Sequence, residues 1–346
     1  MYLKIFPRLH KEFQIIIYKI RMNSFGNIFK VEIFGESHGK VIGVVLDGVP
    51  AGLPLSPDDF KTDMSRRQGG SFGTTSRVED DSVEILSGVF KGHTTGAPLA
   101  MTIRNSEVDS SFYEEQKEVP RPGHADYTAN VKFRGFQDYR GGGHLSGRVS
   151  AALVMAGVIA KKLIPPMVIH SEIVSIGGEN PWDEKLAAAI IEGDSLGGVI
   201  ECTINGVPAG FGEPFFNSIE SVISHMIFSI PGVRGIEFGD GFKAAQMRGS
   251  EHNDPIISAN GATSKNGAGG INGGISNGND IVFRVAIKPT STISAKQHSL
   301  NLTSGKPEDI EFKGRHDACF ALRTPVVIEA AAAVVVADIF YREIFS

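Results

Sequence analysis

Asp47-Gly48-Val49-Pro50-Ala51-Gly52 recurs as Asn205-Gly206-Val207-Pro208-Ala209-Gly210, with five of six residues identical. Each copy follows an alternating apolar stretch that reads as a strand, and each precedes a segment with helix signals. Beyond each copy the chain runs through a polar cluster into a long, alanine-rich apolar segment: Ser146 to Leu163 in the first half, Pro325 to Ile344 in the second. A helix that is apolar on nearly every side is a buried one. The repeated order predicts an α+β fold, internally duplicated, with two central helices packed together and covered by sheets. The expected organisation is one domain over residues 22–346, in halves of about 22–166 and 167–346.

The remaining elements follow from local signals. Phe29 to Val45 reads as strand, glycine loop and strand around Gly35-Glu36-Ser37-His38-Gly39. Ser56 caps a short helix running to Arg67, with Pro57 in its first position. Strands are predicted at Val83 to Phe90, Leu99 to Arg104, Met167 to Val174, Gly198 to Ile204 and Ile281 to Ile287. Helices are predicted near Asp183 to Gly193 and from Asn217 to Ile230, the latter closed by Pro231. The polar, acidic stretch Ser106 to Val119 reads as a loop.

Glycine supplies 41 of 346 residues, well above the usual ~7%. Such an excess implies many turns and many close approaches of backbone to ligand. A net charge of −5 gives no global attraction to nucleic acid or an anionic membrane, so any basic site is local. No apolar run reaches the ~18 residues that span a bilayer. Cys202 and Cys319 stand far apart without a CxxC, which suits a reducing cytoplasm and no zinc site. Met1 to Arg21 is basic but lacks the long apolar core and small-residue end of a signal peptide, and reads as a poorly ordered extension.

The chemistry-bearing residues gather in a few loops. Arg315-His316-Asp317 sets a permanent cation beside a carboxylate that it would hold ionised as a base. Lys288-Pro289-Thr290-Ser291-Thr292 offers a point charge and three hydroxyl donors to a phosphate. His38 lies between glycines, and His124 follows Arg121 by three residues; both suit proton transfer near neutral pH, and either could instead only bond a turn. Arg66, Arg67, Arg121, Arg140, Arg148 and Arg315 sit at glycine loops or helix starts, where they could bind several anionic groups. Arg140, His144, Ser146 and Arg148 lead into the first buried helix, whose dipole favours an anion there. The Gly261 to Gly278 loop has neither the GxxxxGK(S/T) order nor a following helix, and HExxH and GxSxG are absent.

With these residues in view, the chain closely resembles the chorismate synthases over about Asn23 to Phe345. The resemblance rests on Gly35 to Gly39 running to Asp47-Gly48-Val49-Pro50, on Gly143-His144-Leu145-Ser146-Gly147-Arg148, and on Arg315-His316-Asp317 through Glu329-Ala330. Arg121 to Tyr127, Asp138 to Gly143 and Lys288 to Ser291 are similar to the family as well.

The resemblance implies a β-α-β sandwich, with helices between two antiparallel sheets, assembled as a cytoplasmic homotetramer. It implies a lyase of the shikimate pathway that eliminates phosphate from 5-enolpyruvylshikimate 3-phosphate in a trans 1,4 sense to give chorismate. Reduced FMN would be the cofactor, with no net redox change. By the same resemblance His38 protonates the reduced flavin, His124 protonates the leaving phosphate and Asp317 assists the flavin nitrogen as proton acceptor. Arg66 or Arg67, Arg121, Arg148 and Arg315 would bind substrate. His144, Leu145, Ser146, Asn266, Gly267, Gly278, Lys288, Pro289, Thr290, Ser291, Thr292 and Arg315 match FMN-contacting positions. Whether NADPH reduces the flavin on the protein or an external reductase supplies it stays open.

The chain departs from the family at several points. His144 and Leu145 stand where many members have arginine and serine. Gln68 to Gly73 is shorter than the usual basic loop and carries no cation, Ala318 replaces a proline, and the tail after Ile344 is short. A rival reading is therefore a weakly active homologue that binds FMN or a phosphate ester.

Overall fold

The computed structural model describes residues 23–345 apart from Glu107, Lys313 and Arg315. The expectations for Met1 to Arg21 and for the Arg315 side chain fall outside the described residues.

Two antiparallel sheets enclose the long helices. The first sheet contains β1 (Ser24–Phe25), β2 (Lys30–Gly35), β3 (Val41–Asp47), β4 (Glu84–Ser87) and β5 (Leu99–Arg104) in the order β1-β2-β3-β5-β4. The second contains β6 (Val168–Ile176), β7 (Gly198–Asn205), β8 (Val233–Phe238) and β9 (Ile281–Ile287) in the order β8-β9-β7-β6. Apart from the short β1, each sheet takes its first, second, fourth and third strands in the same spatial sequence. Each repeated turn leaves the second strand of its half and leads to a helix, α1 (Lys61–Arg67) or α6 (Ile219–Ile227). Each half then ends in a long helix, α4 (Ser150–Leu163) or α7 (Pro325–Phe345). The duplication expected from the two hexapeptides is thus present as strand order.

Alternation sets the inward faces. Ile42, Val44 and Leu46 of β3 are buried, as are Ile281, Phe283, Val285 and Ile287 of β9 and Ile200, Cys202 and Ile204 of β7. Both sheets cover the α4–α7 pair: α4 packs on β2 and β3, α7 on β6 and β7. These two helices are buried almost all round, as their composition requires. They approach closely at Gly157, where an added Cβ would lie 2.3 Å from the Cβ of Ala330. The alanine run Ala330–Ala333, fully buried, supplies the other smooth surface.

Two stretches differ from expectation. Ser106 to Val119 is not all loop, because Ser111–Gln116 forms α2. Asp109 accepts the Ser111 N–H (3.0 Å), and Phe112 of this helix sets its ring 4.3 Å from that of Phe312. Local polarity concealed a helix held through its two aromatic side chains, Phe112 and Tyr113, both of which meet Phe312. Helix α3 (Asp126–Phe133) lies in the motif-rich stretch after Arg121, and α5 (Asp183–Ile191) joins β6 to β7.

Candidate active site

The loops that follow the fourth strand of each half, residues 105–149 and 288–324, meet at the N-terminal ends of α4 and α7. Between them lies a cleft of about 1580 Å³. Gly147 and Arg148 line it from the start of α4, Phe320 and Arg323 from the approach to α7. The positive ends of both helix dipoles therefore face one space.

His38 and His124 bracket the glycine triplet Gly141–Gly143. Gly141 and Gly142 have φ of +59° and +83°, and their missing Cβ atoms leave room for the two imidazoles. A Cβ on Gly141 would lie 2.6 Å from His38 Nε2, and one on Gly142 3.3 Å from His124 Nε2. His38 Nδ1 is 2.9 Å from Ser110 Oγ, and its ring meets Tyr113 edge-on with centroids 5.2 Å apart. Burial first, then the charges of Arg77 and Arg140, push His38 down to about 4. His124 is also lowered, chiefly by burial and next opposed by its bond to Asp126.

Arginines surround the pair. Arg121 makes two side-chain bonds to Asp126 (2.8 Å each), one to Thr292 Oγ1 (3.1 Å), and lies 5.3 Å over the Tyr113 ring. Arg148 pairs with Asp81 at 2.5 Å and bonds Asn105 Oδ1 at 3.1 Å. Arg67 donates to the carbonyls of Gly147 (3.0 Å) and Arg148 (3.1 Å). Burial, with the like charges of Arg323 and Arg148, lowers Arg67 to about 9, still a cation at neutral pH.

The second half closes the cleft. Lys288 Nζ donates to the Gly123 carbonyl (2.8 Å) and touches Ser291 Oγ, which donates to the same carbonyl (2.7 Å). Burial and then Arg234 lower the lysine. Pro289, Thr290, Ser291 and Thr292 line this wall together with Ile230, Pro231 and Gly232. Asp317 accepts the Thr75 N–H (3.0 Å) and two bonds from Arg323 (2.9 and 2.8 Å). Its described counter-ion is thus Arg323, six residues on.

His38, His124, Asp317, Arg67, Arg121, Arg148, His144, Leu145, Ser146 and Lys288 to Thr292 all line this one cleft. His144 Nδ1–H donates to the Gly35 carbonyl (2.7 Å), and Ser146 Oγ accepts from the Arg148 N–H (3.3 Å).

Five residues expected at the site do not line this cleft: Arg66, Arg140, Asn266, Gly267 and Gly278. Arg66 is not among the lining residues: it forms two 2.7 Å bonds to Glu329. Successive residues on a helix face different ways, so α1 delivers only Arg67 to the cleft. Asn266, Gly267 and Gly278 lie in a separate loop. Asn266 Oδ1 accepts from Gly270 N–H (2.7 Å) and Gly267 N–H donates to Asp254 (2.9 Å), while Gly278 packs near Asn260 and Ala209. Glycine-rich sequence there serves the loop's own turns. Arg140, similarly, is paired with Asp138 at 2.9 and 2.8 Å.

Sequence reasoning missed Arg77, Tyr113, Asp126 and Arg323. Arg77 answers the apparent loss of charge after Arg67: it lines the cleft and donates to the Ser37 carbonyl (3.2 Å). The loop that carries it is docked through Gly73, whose carbonyl accepts the Cys319 N–H (3.0 Å). Among the described residues no three His, Cys, Asp or Glu side chains are grouped to hold a metal ion, and no helix is long and apolar enough to cross a membrane.

A duplicated sandwich holds paired histidines and several arginines in one cleft at its seam, an arrangement able to take up anionic groups. Comparison with known proteins is specific. The chorismate synthase family model matches residues 29–341. A chorismate synthase of Chitinophaga pinensis is 54% identical over 323 residues, covering 93% of this chain and 97% of the relative. One from Korarchaeum cryptofilum is 46% identical over 350 residues, covering 92% and 97%. A crystal structure of a chorismate synthase superposes with a TM-score of 0.70 at 26% identity, covering 92% of this chain and 93% of the other. The chain belongs to the chorismate synthase family.

Proposed function

We propose that this protein is a lyase that converts 5-enolpyruvylshikimate 3-phosphate to chorismate and phosphate by trans 1,4-elimination, with reduced FMN and no net redox change. The observation that carries the reading is the packing of His38 and His124 against one glycine triplet, inside an arginine-lined cleft, in a chain of this family.

Arg67, Arg121 and Arg148 bind the carboxylates and phosphate of the substrate, with Arg77 beside them. His124 gives a proton to the departing phosphate, and His38 holds a proton at the far side of the triplet. Asp317 helps to draw away the ring proton. Both histidines are lowered in the free cleft, and a bound polyanion raises them, so substrate binding brings its own protons.

The residues suit a flavin mononucleotide. Thr290 Oγ1 is buried without a hydrogen-bond partner among the described residues, next to Lys288 and Ser291, a set able to hold a phosphate. Leu145, Ile230, Pro231 and Phe320 provide apolar surface in the same cleft for a flat ring. Bound reduced flavin would lend electron density to C–O cleavage and recover it afterwards. His144 to Ser146 and Lys288 to Thr292 are its holding residues, and Arg315 adds charge.

A single domain in two halves forms the protomer. A homotetramer is supported by the exposure of Phe215, Phe216 and Phe242, and a cytoplasmic location by two buried, unpaired cysteines. The test is an anaerobic assay with the substrate and chemically reduced FMN. Chorismate formation is expected; bound substrate and FMN without product favours the weakly active homologue. Repetition with oxidised FMN and NADPH decides whether the protein reduces its own flavin, and sedimentation gives the oligomer.

A further inference from the structure

One carboxylate holds both His124 and Arg121. Asp126 Oδ1 lies 2.7 Å from His124 Nδ1 and accepts from Arg121 Nη2 at 2.8 Å. Its Oδ2 accepts from Arg121 Nε at 2.8 Å and from the Arg121 backbone N–H at 3.1 Å. The side chain is the first residue of α3, where the helix dipole adds to the guanidinium charge. Burial opposes ionisation, but the bonds from Arg121 and His124 outweigh it and hold the carboxyl well below its ordinary range.

A contact of 2.7 Å between an oxygen and an imidazole nitrogen requires a hydrogen between them. Because the carboxylate is ionised, that hydrogen sits on Nδ1. Nε2 is therefore the nitrogen that exchanges protons, on the ring edge that Gly142 leaves uncovered.

We propose that Asp126 is a positioning residue: it fixes the His124 tautomer, supports the imidazolium that donates from Nε2, and aligns the Arg121 fork beside the departing phosphate. This rests on the assignment of His124 as proton donor. As the C–O bond breaks, its electron pair leaves with the phosphate oxygen and the Nε2 proton goes to that oxygen. Imidazole is left neutral, its hydrogen still on Nδ1 and donated to Asp126. The ring proton removed in the same elimination leaves its C–H electron pair to the new double bond and goes to the base that Asp317 assists, so one proton leaves the substrate as one is given to the phosphate.

Asp126→Asn tests this. Its amide oxygen in the Oδ2 place keeps the bonds from Arg121 Nε and backbone N–H, so its NH2 takes the Oδ1 place, gives up the Nη2 bond, faces Nδ1 and moves the imidazole hydrogen to Nε2. Turnover should fall by roughly 10²–10⁴, as for loss of an acid–base function or its correct tautomer, with a smaller change in KM. Nitrogen-15 NMR of imidazole-labelled protein should show His124 protonated on Nδ1 in the wild type and on Nε2 in the variant. A wild-type His124 with bare Nδ1 overturns the proposal without any variant having to fold. In a His124→Gln background, Asp126→Asn should add little. Equal losses in both backgrounds overturn the proposal in favour of a role through Arg121 or the fold. Turnover lost in His124→Gln but kept in Asp126→Asn overturns it alone. Turnover kept in His124→Gln removes the donor assignment, and the proposal with it.

Discussion

Replacing Glu329 by glutamine should weaken the protein without touching its cleft. The carboxylate lies in the middle of the sandwich and is 2% exposed. It accepts two 2.7 Å bonds from Arg66, one of 3.0 Å from Lys161, and bonds from Ser171 N–H (3.1 Å) and Oγ (3.0 Å). Arg66 and Lys161 belong to the first half, Glu329 and Ser171 to the second. Burial alone would raise the carboxyl; Arg66 and Lys161 reverse this and bring it from 4.5 to about 2. At 1.36 kcal/mol per pH unit, that gap corresponds to about 3.4 kcal/mol. Arg66 is partly open to water, so screening reduces the expected loss in Glu329→Gln to about 2–3 kcal/mol at pH 7. The sign is that of a depressed carboxylate: its stabilisation is complete above pH 4.5 and drains away as pH falls towards 2. Urea unfolding followed by circular dichroism at pH 7 and pH 3 reads this directly. The variant should show a lower midpoint with an unchanged slope at pH 7, and more than half of the difference should be gone at pH 3. A gap of less than about 0.5 kcal/mol at pH 7, or the same gap at both pH values, would refute the ion-cluster account.

Other outcomes follow from the same geometry. Asp317→Asn should keep the fold and lower turnover by roughly 10²–10⁴; near wild-type chorismate formation would remove Asp317 from the chemistry. Because His38 and His124 are lowered in the free cleft, the substrate should bind with net proton uptake, and more tightly as pH falls from about 6.5. Calorimetry in two buffers of different ionisation enthalpy measures the uptake, and a value of zero contradicts the coupling. In the free protein the neutral His38 makes the opposite demand. With a folded value of about 4 against ~6.5 unfolded, its contribution is present above 6.5 and lost as pH drops towards 4. His38→Gln should therefore flatten the stability profile in that interval, whereas an unaltered profile would assign the acid loss elsewhere. Gly157→Val should lower stability by about 1–3 kcal/mol or more through overpacking against Ala330, visible as a fall in melting temperature; an unchanged melting temperature would mean that the helices separate freely.

Much of the architecture was legible because it depends on patterns longer than a turn. Two apolar, alanine-rich segments could only be buried helices, and Ile281–Ile287 is a short, largely apolar run, rich in β-branched residues, of strand length. The repeated hexapeptide marked the same position in both halves. Helix α2 was not legible: its side chains are polar or acidic except for two aromatics, and its contact with Phe312 lies two hundred residues away in sequence. For the site, His38, His124 and the Lys288–Thr292 wall were visible through their neighbours. The choice between Arg66 and Arg67 was not, since it turns on the rotation of one helix residue. Arg323 and Arg77 look like ordinary arginines until the chain brings them to Asp317 and Ser37. The glycine-rich stretch around residue 267 turns its N–H groups on itself within the protomer: those of Gly267 and Ala268 meet Asp254, and those of Gly269 and Gly270 meet Asn266.

The bare Cα of Gly157 also acts as a gauge. The loops bearing His124 and His144 are anchored at the head of α4, and those bearing Asp317 and Arg323 at the head of α7. How far apart the two groups stand depends on how near the helices lie, and that is set where Gly157 rests on Ala330. A single methyl group there would act as a wedge, transmitted along two rigid rods to the mouth of the cleft. Reactivity could then be tuned from the centre of the molecule, by side-chain volume at one position that no substrate ever touches.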